Sequence, residues 1–227
     1  MIKLSNVSKV YPPNVVALDN VSFTFETGEF VSVVGMSGTG KSTLVRLLIA
    51  EERPTQGEVR VDDWIVNRIH PKHVPYYRRQ IGVVFQDFKL LLRKTVAENV
   101  AFALEVAGNE PPLKIAKRID EVLDVVGLRD RKSAFPEQLS GGEQQRIAIA
   151  RALVHQPKIL IADEPTGNLD IINTKEVISL LEKINAAGTT VILVSHDADV
   201  VNDLHSHVVT IDGGRVVRDV EEGRYVL

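Results

Sequence analysis

Cysteine is absent from the 227 residues, which excludes disulfides, thiolate nucleophiles and Cys-ligated zinc and suits a reducing compartment, the cytosol being the simplest address. Charge of one sign is also lacking: 27 Lys and Arg face 30 Asp and Glu, for a net charge of −3. So balanced a chain has no field to hold it on nucleic acid or anionic lipid by bulk attraction. No apolar run approaches the ~18–20 residues that cross a bilayer, and the N-terminal MIKLSNVSKVY lacks the apolar stretch of a signal peptide. Work at a membrane is therefore expected to depend on another protein as anchor. Internal repeats, low-complexity tracts and linkers are missing too, and the 44% hydrophobic and 25% charged residues suffice for an ordinary globular core.

Four short runs, residues 30–34, 81–85, 159–162 and 190–194, are continuously apolar. Strands buried on both faces read this way, so a parallel sheet covered by helices is expected. Residues 2–11, 21–25 and 58–66 tend instead to alternate, as half-exposed antiparallel strands do. Between 88 and 155 strand signals give way to three helix starts. Thr95 with Glu98 and Ser140 with Glu143 are capping boxes, and Pro111 with Pro112 opens the helix between them. Ile115, Ile119, Val122, Leu123 and Val126 share one face of that helix, which Gly127 ends. Residues 208–220 read as a hairpin turning at Gly213 and Gly214. The expected organisation is a single α/β domain with a core over 1–87 and 156–227 and a helical subdomain inserted over about 88–155.

Residues 35–42, GMSGTGKS, fit G-x-x-x-x-G-K-[ST] between an apolar strand and an apolar helix, the context that pattern requires. Gly35, Met36, Ser37, Gly38, Thr39, Gly40 and Thr43 would wrap backbone N–H groups round a triphosphate at a helix start. Lys41 would reach the β- and γ-phosphates, and the Ser42 hydroxyl would ligate Mg²⁺. ILIADE, residues 159–164, ends an apolar strand in two carboxylates. Asp163 is placed to orient the Mg²⁺ shell, and Glu164, one residue on, to accept a proton from the attacking water.

LSGGEQ, residues 139–144, is the most specific signal in the chain. Ser140, Gly141 and Gly142 open a helix whose free N–H groups and positive dipole end can receive phosphate oxygens, a second anion site beside the first. This segment resembles the signature of the ATP-binding-cassette (ABC) ATPases, and the resemblance extends over essentially the whole chain. It implies a RecA-like parallel core with an antiparallel β subdomain and an inserted helical subdomain. It implies further roles: Tyr11 stacking on adenine, Gln86 sensing γ-phosphate and Mg²⁺, Asp170 of GNLD crossing between protomers, and His196 holding the γ-phosphate and Glu164. Ser140, Gly141, Gly142 and Glu143 would touch the nucleotide of a second copy in a head-to-tail homodimer.

Within the superfamily RRQIGVVFQDFKLL, TVAENVAFAL, LSGGEQQRIAIARALV and ADEPTGNLD resemble the FtsE-type cell-division subunits. Those work beneath an integral membrane protein of FtsX type, which implies a cytoplasmic chain peripheral on the inner face of the plasma membrane and no nucleic-acid partner. Lipoprotein-release and macrolide-efflux ATPases share the last two segments and supply the alternative of an exporter subunit; a soluble ABC ATPase acting on nucleic acid or the ribosome is a second. Met36 in place of Pro, VSHD around His196 and the Gly-free turn Asp62-Asp63-Trp64 depart from the usual pattern. The apolar segment 87–92 after Gln86 is expected either to be buried under the helical lobe or, as its position favours, to face the membrane partner. His205 and His207, on one face of a strand, are expected at the surface rather than on a metal, no third ligand being evident.

Overall fold

The structure is a computed structural model that describes residues 1–108, 111–204 and 206–225. In chain order the elements are β1 (Ile2–Tyr11), β2 (Val15–Phe25), β3 (Phe30–Val34), α1 (Lys41–Leu48), β4 (Gln56–Val61), β5 (Trp64–Ile65), α2 (Val74–Arg78) and β6 (Ile81–Phe85). Then come α3 (Val96–Ala107), α4 (Pro112–Val125), α5 (Gly141–Leu153), β7 (Ile159–Asp163), α6 (Ile171–Ala186), β8 (Thr190–Ser195), α7 (Ala198–Leu204), β9 (His207–Asp212) and β10 (Arg215–Val220). One sheet has the order β2-β1-β4-β5 and is antiparallel; the other has the order β10-β9-β3-β8-β7-β6. Its strands from β9 to β6 run parallel and β10 is antiparallel.

The continuous apolar runs become strands that deal alternate side chains to two cores. From β7, Ile159 and Ile161 join the core shared with the antiparallel sheet and α1, while Leu160 and Ala162 join the core under the helices. Strand β8 divides in the same way, Ile192 and Val194 against Val191 and Leu193. Each fully buried aliphatic side chain contributes about 1.5–3 kcal/mol, so a polar residue on either face of these strands would be costly. The inserted helices have no core to themselves. Val96, Val100, Leu123 and Ile147 pack in one cluster with Val84, Leu160 and Leu181 of the α/β part, so the lobe is fused to one face of the sheet.

Both expected capping boxes are present, on α3 and α5, and α4 starts at the expected prolines. Strand β2 begins six residues earlier than the alternation suggested, because register shifts along β1 and a left-handed Asn20 break the two-residue period. His207 is a correction. It is buried, not at the surface, because β9 is covered on both faces, and its ring lies between Glu29 (Nδ1 to Oε1, 2.5 Å) and Asp219 (Nε2 to Oδ1, 2.5 Å). His205 lies outside the described residues. Among the described residues no group of three or more His, Asp or Glu could hold a metal ion, and no helix is long and apolar enough to cross a membrane.

Candidate active site

Register brings the site together. Val34 pairs with Ser195, Asp163 with Val194, and Phe85 with Asp163. The residues that step off the C-terminal edge of these neighbouring parallel strands are therefore Gly35, His196, Glu164 and Gln86, the position at which open α/β sheets bind ligands. Ser42, Phe85, Gln86, Asp87, Lys89, Asp163, Glu164 and Asn168 line one open cavity of ≈ 370 Å³ there.

Residues 35–40 leave β3 as a loop and deliver the chain to α1. Gly40 has φ +110, and a Cβ on it would collide with the carbonyl of Ala17 in β2, so only glycine lets the loop close against that strand. Helix α1 then starts with no side-chain cap, which leaves its first-turn N–H groups to a ligand. Lys41 is buried, and its Nζ donates to the carbonyls of Gly35 (2.6 Å) and Met36 (2.8 Å). Burial pulls its pKa below the usual lysine value, against the attraction of Glu164 and Asp163. Burial raises the Asp163 carboxyl above its ordinary range, and the neighbouring Glu164 adds to the shift against the attraction of Lys41. Glu164 follows with left-handed backbone, φ +51, and both its carboxylate oxygens lie 2.8 Å from His196 Nδ1. That nitrogen therefore carries the ring proton toward the carboxylate.

Gln86 is exposed and meets the segment after Glu164: Asn168 Nδ2 donates to the Gln86 carbonyl (3.0 Å), and Gln86 Nε2 lies 3.4 Å from Asn168 Oδ1. Tyr11 ends β1 half-exposed, with the Lys9 ammonium 4.9 Å from its ring centroid. The hairpin it closes is the one that backs the phosphate loop through Ala17.

Ser140, Gly141 and Gly142 do not line the cavity. They start α5 with a closed box: Ser140 Oγ accepts from Glu143 N–H (3.2 Å), and Glu143 Oε2 accepts from Ser140 N–H (2.9 Å). Glu143 is thus held in the capping box expected of it. Its carboxylate is engaged as a cap, with Arg131 Nε 3.5 Å away. Only the N–H groups of Gly141 and Gly142 stay outside the box. Asp170 caps α6, accepting from Asn173 N–H (2.9 Å) and Nδ2 (2.7 Å). Asn173 in turn packs so closely on Gly142 that any Cβ there would overlap it.

The segment 87–92 is partly covered by the lobe. Leu92 is 69% exposed, but Phe88 and Leu91 are half-buried and Leu90 packs on the lobe core. Asn99 fixes the backbone, accepting from Leu91 N–H (2.8 Å) and donating to the carbonyls of Leu91 (3.1 Å) and Lys94 (3.0 Å). Sequence reasoning missed Lys89 and Asn168 as cavity residues, although Asn168 stands inside the GNLD segment.

Residues 18–167 match the ABC transporter family. The chain belongs to that family. As an ABC ATPase it binds and hydrolyses ATP. It is 51% identical over 225 residues to the cell division ATP-binding protein FtsE of Bacillus subtilis, covering 99% of this chain and 98% of the relative. The same name is borne by a Mycobacterium tuberculosis protein 50% identical over 226 residues, with 99% and 98% covered. Among solved structures, the dimeric post-hydrolysis state of the ATP-binding cassette MJ0796 bound to ADP and Pi superimposes with a TM-score of 0.88 at 37% identity, covering 99% of this chain and 100% of that one. The resemblance makes this ABC protein an FtsE-type ATPase subunit.

Proposed function

We propose that the chain is the ATPase of a cell-division complex of FtsE–FtsX type, working as an ATP-bound head-to-tail homodimer beneath an integral membrane partner, at the inner face of the plasma membrane. One observation carries the dimer: the cavity at the sheet edge holds Ser42, Gln86, Asp163 and Glu164, while the open N–H groups of Gly141 and Gly142 lie outside it. Each chain owns half of two sites. The phosphate loop and Lys41 bind the triphosphate of one, and the start of α5 closes on the γ-phosphate of a second copy, with Asp170 at the shared boundary. Tyr11 stacks on the adenine.

The Ser42 hydroxyl, the Gln86 amide oxygen and the Asp163 carboxylate are hard oxygen donors around one cavity, and they fit Mg²⁺, which keeps waters and phosphate oxygens in its shell. Held by those three residues, Mg²⁺ would offset the charge of the triphosphate that the loop and Lys41 bind. Glu164 takes the proton of the water that attacks the γ-phosphorus as the bond to the ADP oxygen breaks. His196 orients that carboxylate through Nδ1. Release of phosphate removes the bridge between Lys41 and the partner's α5, and the dimer opens. The motion has to be delivered to a partner that crosses the membrane.

Glu164→Gln tests the reading. The amide keeps the shape but cannot accept the proton, so ATP binding should persist, turnover should fall to background and light scattering should show an ATP-dependent dimer. Wild-type turnover would remove Glu164 from its role. Co-purification from membranes should bring down one integral protein. Stimulation of hydrolysis by a solute would favour an exporter instead.

A further inference from the structure

Helix α5 also reaches into its own subunit's site. Gln145, just over one turn from the helix start and fully buried, donates from Nε2 to the carbonyl of Pro165 at 2.7 Å. Pro165 follows Glu164, whose backbone is held in the left-handed region that a residue with a Cβ seldom adopts. On its other side Glu164 N–H donates to the Val194 carbonyl at 2.9 Å. The strained residue is thus pinned from β8 before it and from α5 after it. Turning the amide over would set Oε1 against the Pro165 oxygen, acceptor against acceptor, so the donor assignment is forced.

Gln145 Oε1 is buried with no hydrogen-bond partner among the described residues. A buried amide with its acceptor unmet adds little to stability, and an apolar chain of the same length would carry no such orphan. What the residue supplies is its grip on Pro165. About 9 Å further along the helix, Arg151 donates from Nη1 to the Lys89 carbonyl (2.6 Å) and from Nη2 to the Phe88 carbonyl (2.9 Å). Phe88 and Lys89, two and three residues after Gln86, are themselves left-handed, at φ +53 and +49. One helix therefore holds both loops that flank the cavity.

We propose that Gln145 is a positioning residue for Glu164, acting through Pro165, and that it makes α5 the link between the nucleotide closed by the start of this helix and the base of the helix's own subunit. The link rests on the composite-site reading above. Removal of the grip misplaces the base without touching the phosphate loop.

The test is Gln145→Met, made in the wild type and in Glu164→Gln. In the wild type the melting temperature should change by no more than the loss of one buried hydrogen bond to Pro165 costs. Mg-ATP affinity and KM should be unchanged, and kcat should be lower by about ten-fold or more, since small misplacements of a reacting group are that costly. The Hill coefficient for ATP should fall toward one. In Glu164→Gln the same change should lower the residual rate no further, because the group it positions is already gone. An equal loss in both backgrounds, or a loss confined to KM or melting temperature, overturns the proposal. Should Gln145→Met not fold, Gln145→Asn keeps the amide one methylene short of Pro165 and carries the same expectations. The two readings fail separately. Absence of an ATP-dependent dimer in Glu164→Gln refutes the composite site, whereas a normal dimer with wild-type kcat in Gln145→Met refutes Gln145 alone.

Discussion

Helix α1 begins without a cap, whereas α5 begins with both arms of a capping box closed. Both starts are rich in glycine and both are expected to meet phosphate, yet they solve the problem of unpaired N–H groups in opposite ways. In α1 the donors are kept for a ligand, and a lysine in the first helical position adds a full charge to the helix dipole. In α5 Ser140 and Glu143 satisfy each other, and two glycine N–H groups are left over. An uncapped start is incomplete without its ligand and should bind durably. A capped start is stable by itself, which suits a contact made and released once per cycle.

The largest effect should come from the uncapped side. Lys41→Ala removes the one compact cation of the loop, and two charge-assisted hydrogen bonds of about 2 kcal/mol each predict a loss of Mg-ATP affinity of at least about a hundred-fold. Calorimetry on the purified chain reads this directly. Micromolar binding in the variant would refute the phosphate-loop assignment.

On the capped side Ser140→Arg should leave single-chain ATP binding intact and block closure, the cation filling the space of the second copy's γ-phosphate. Mixing it with Lys41→Ala separates the two ends. In a head-to-tail pair one composite site then has both lesions and the other has neither, so ATP-dependent pairing should return in the mixture and be absent from each variant alone. No difference between mixture and components would argue against shared sites.

What the sequence displays is what local physics decides. The apolar runs announce strands buried on both faces, the two Ser/Thr-to-Glu boxes fix helix starts to the residue, and GMSGTGKS holds its glycines and its lysine within eight consecutive residues. Contacts formed across the chain were not legible. Gln145 meets Pro165 twenty residues away in sequence, and Arg151 meets Lys89 sixty-two away, so neither has a local pattern to betray it. His207 shows the converse error. A polar residue in a strand reads as exposed, and only the pairing of β9 between β3 and β10 brings Glu29 and Asp219 to it. How far the lobe covers 87–92 was not legible either, because the side chain that tethers it, Asn99, sits eight residues from Leu91 on a different element.

The smaller effects sharpen the idea that α5 is self-sufficient. Ser140→Ala opens the box and should cost about 1 kcal/mol of unfolding free energy, the usual worth of such a cap, measured in denaturant without nucleotide. The corresponding change in α1 has nothing to remove, since no side chain caps it.

Glu143→Gln should have the smallest effect and discriminates most finely. Glutamine keeps an acceptor for the Ser140 N–H, so the box survives and only the charge is lost. The backbone N–H of Ser140 is the main cause holding the Glu143 carboxyl below its ordinary range. A carboxyl depressed in the folded state adds stability that is present above its unfolded pKa and disappears as pH falls through the folded value. The wild type should therefore exceed Glu143→Gln by a few tenths of a kcal/mol at neutral pH, the surface setting keeping it small, and the gap should close below about pH 4. ATP-dependent pairing should be at least as strong in the variant, because a negative charge beside the Gly141 and Gly142 N–H groups opposes an incoming phosphate. Loss of pairing with the stability unchanged would return Glu143 to the role of a nucleotide contact and erase the contrast between the two helix starts.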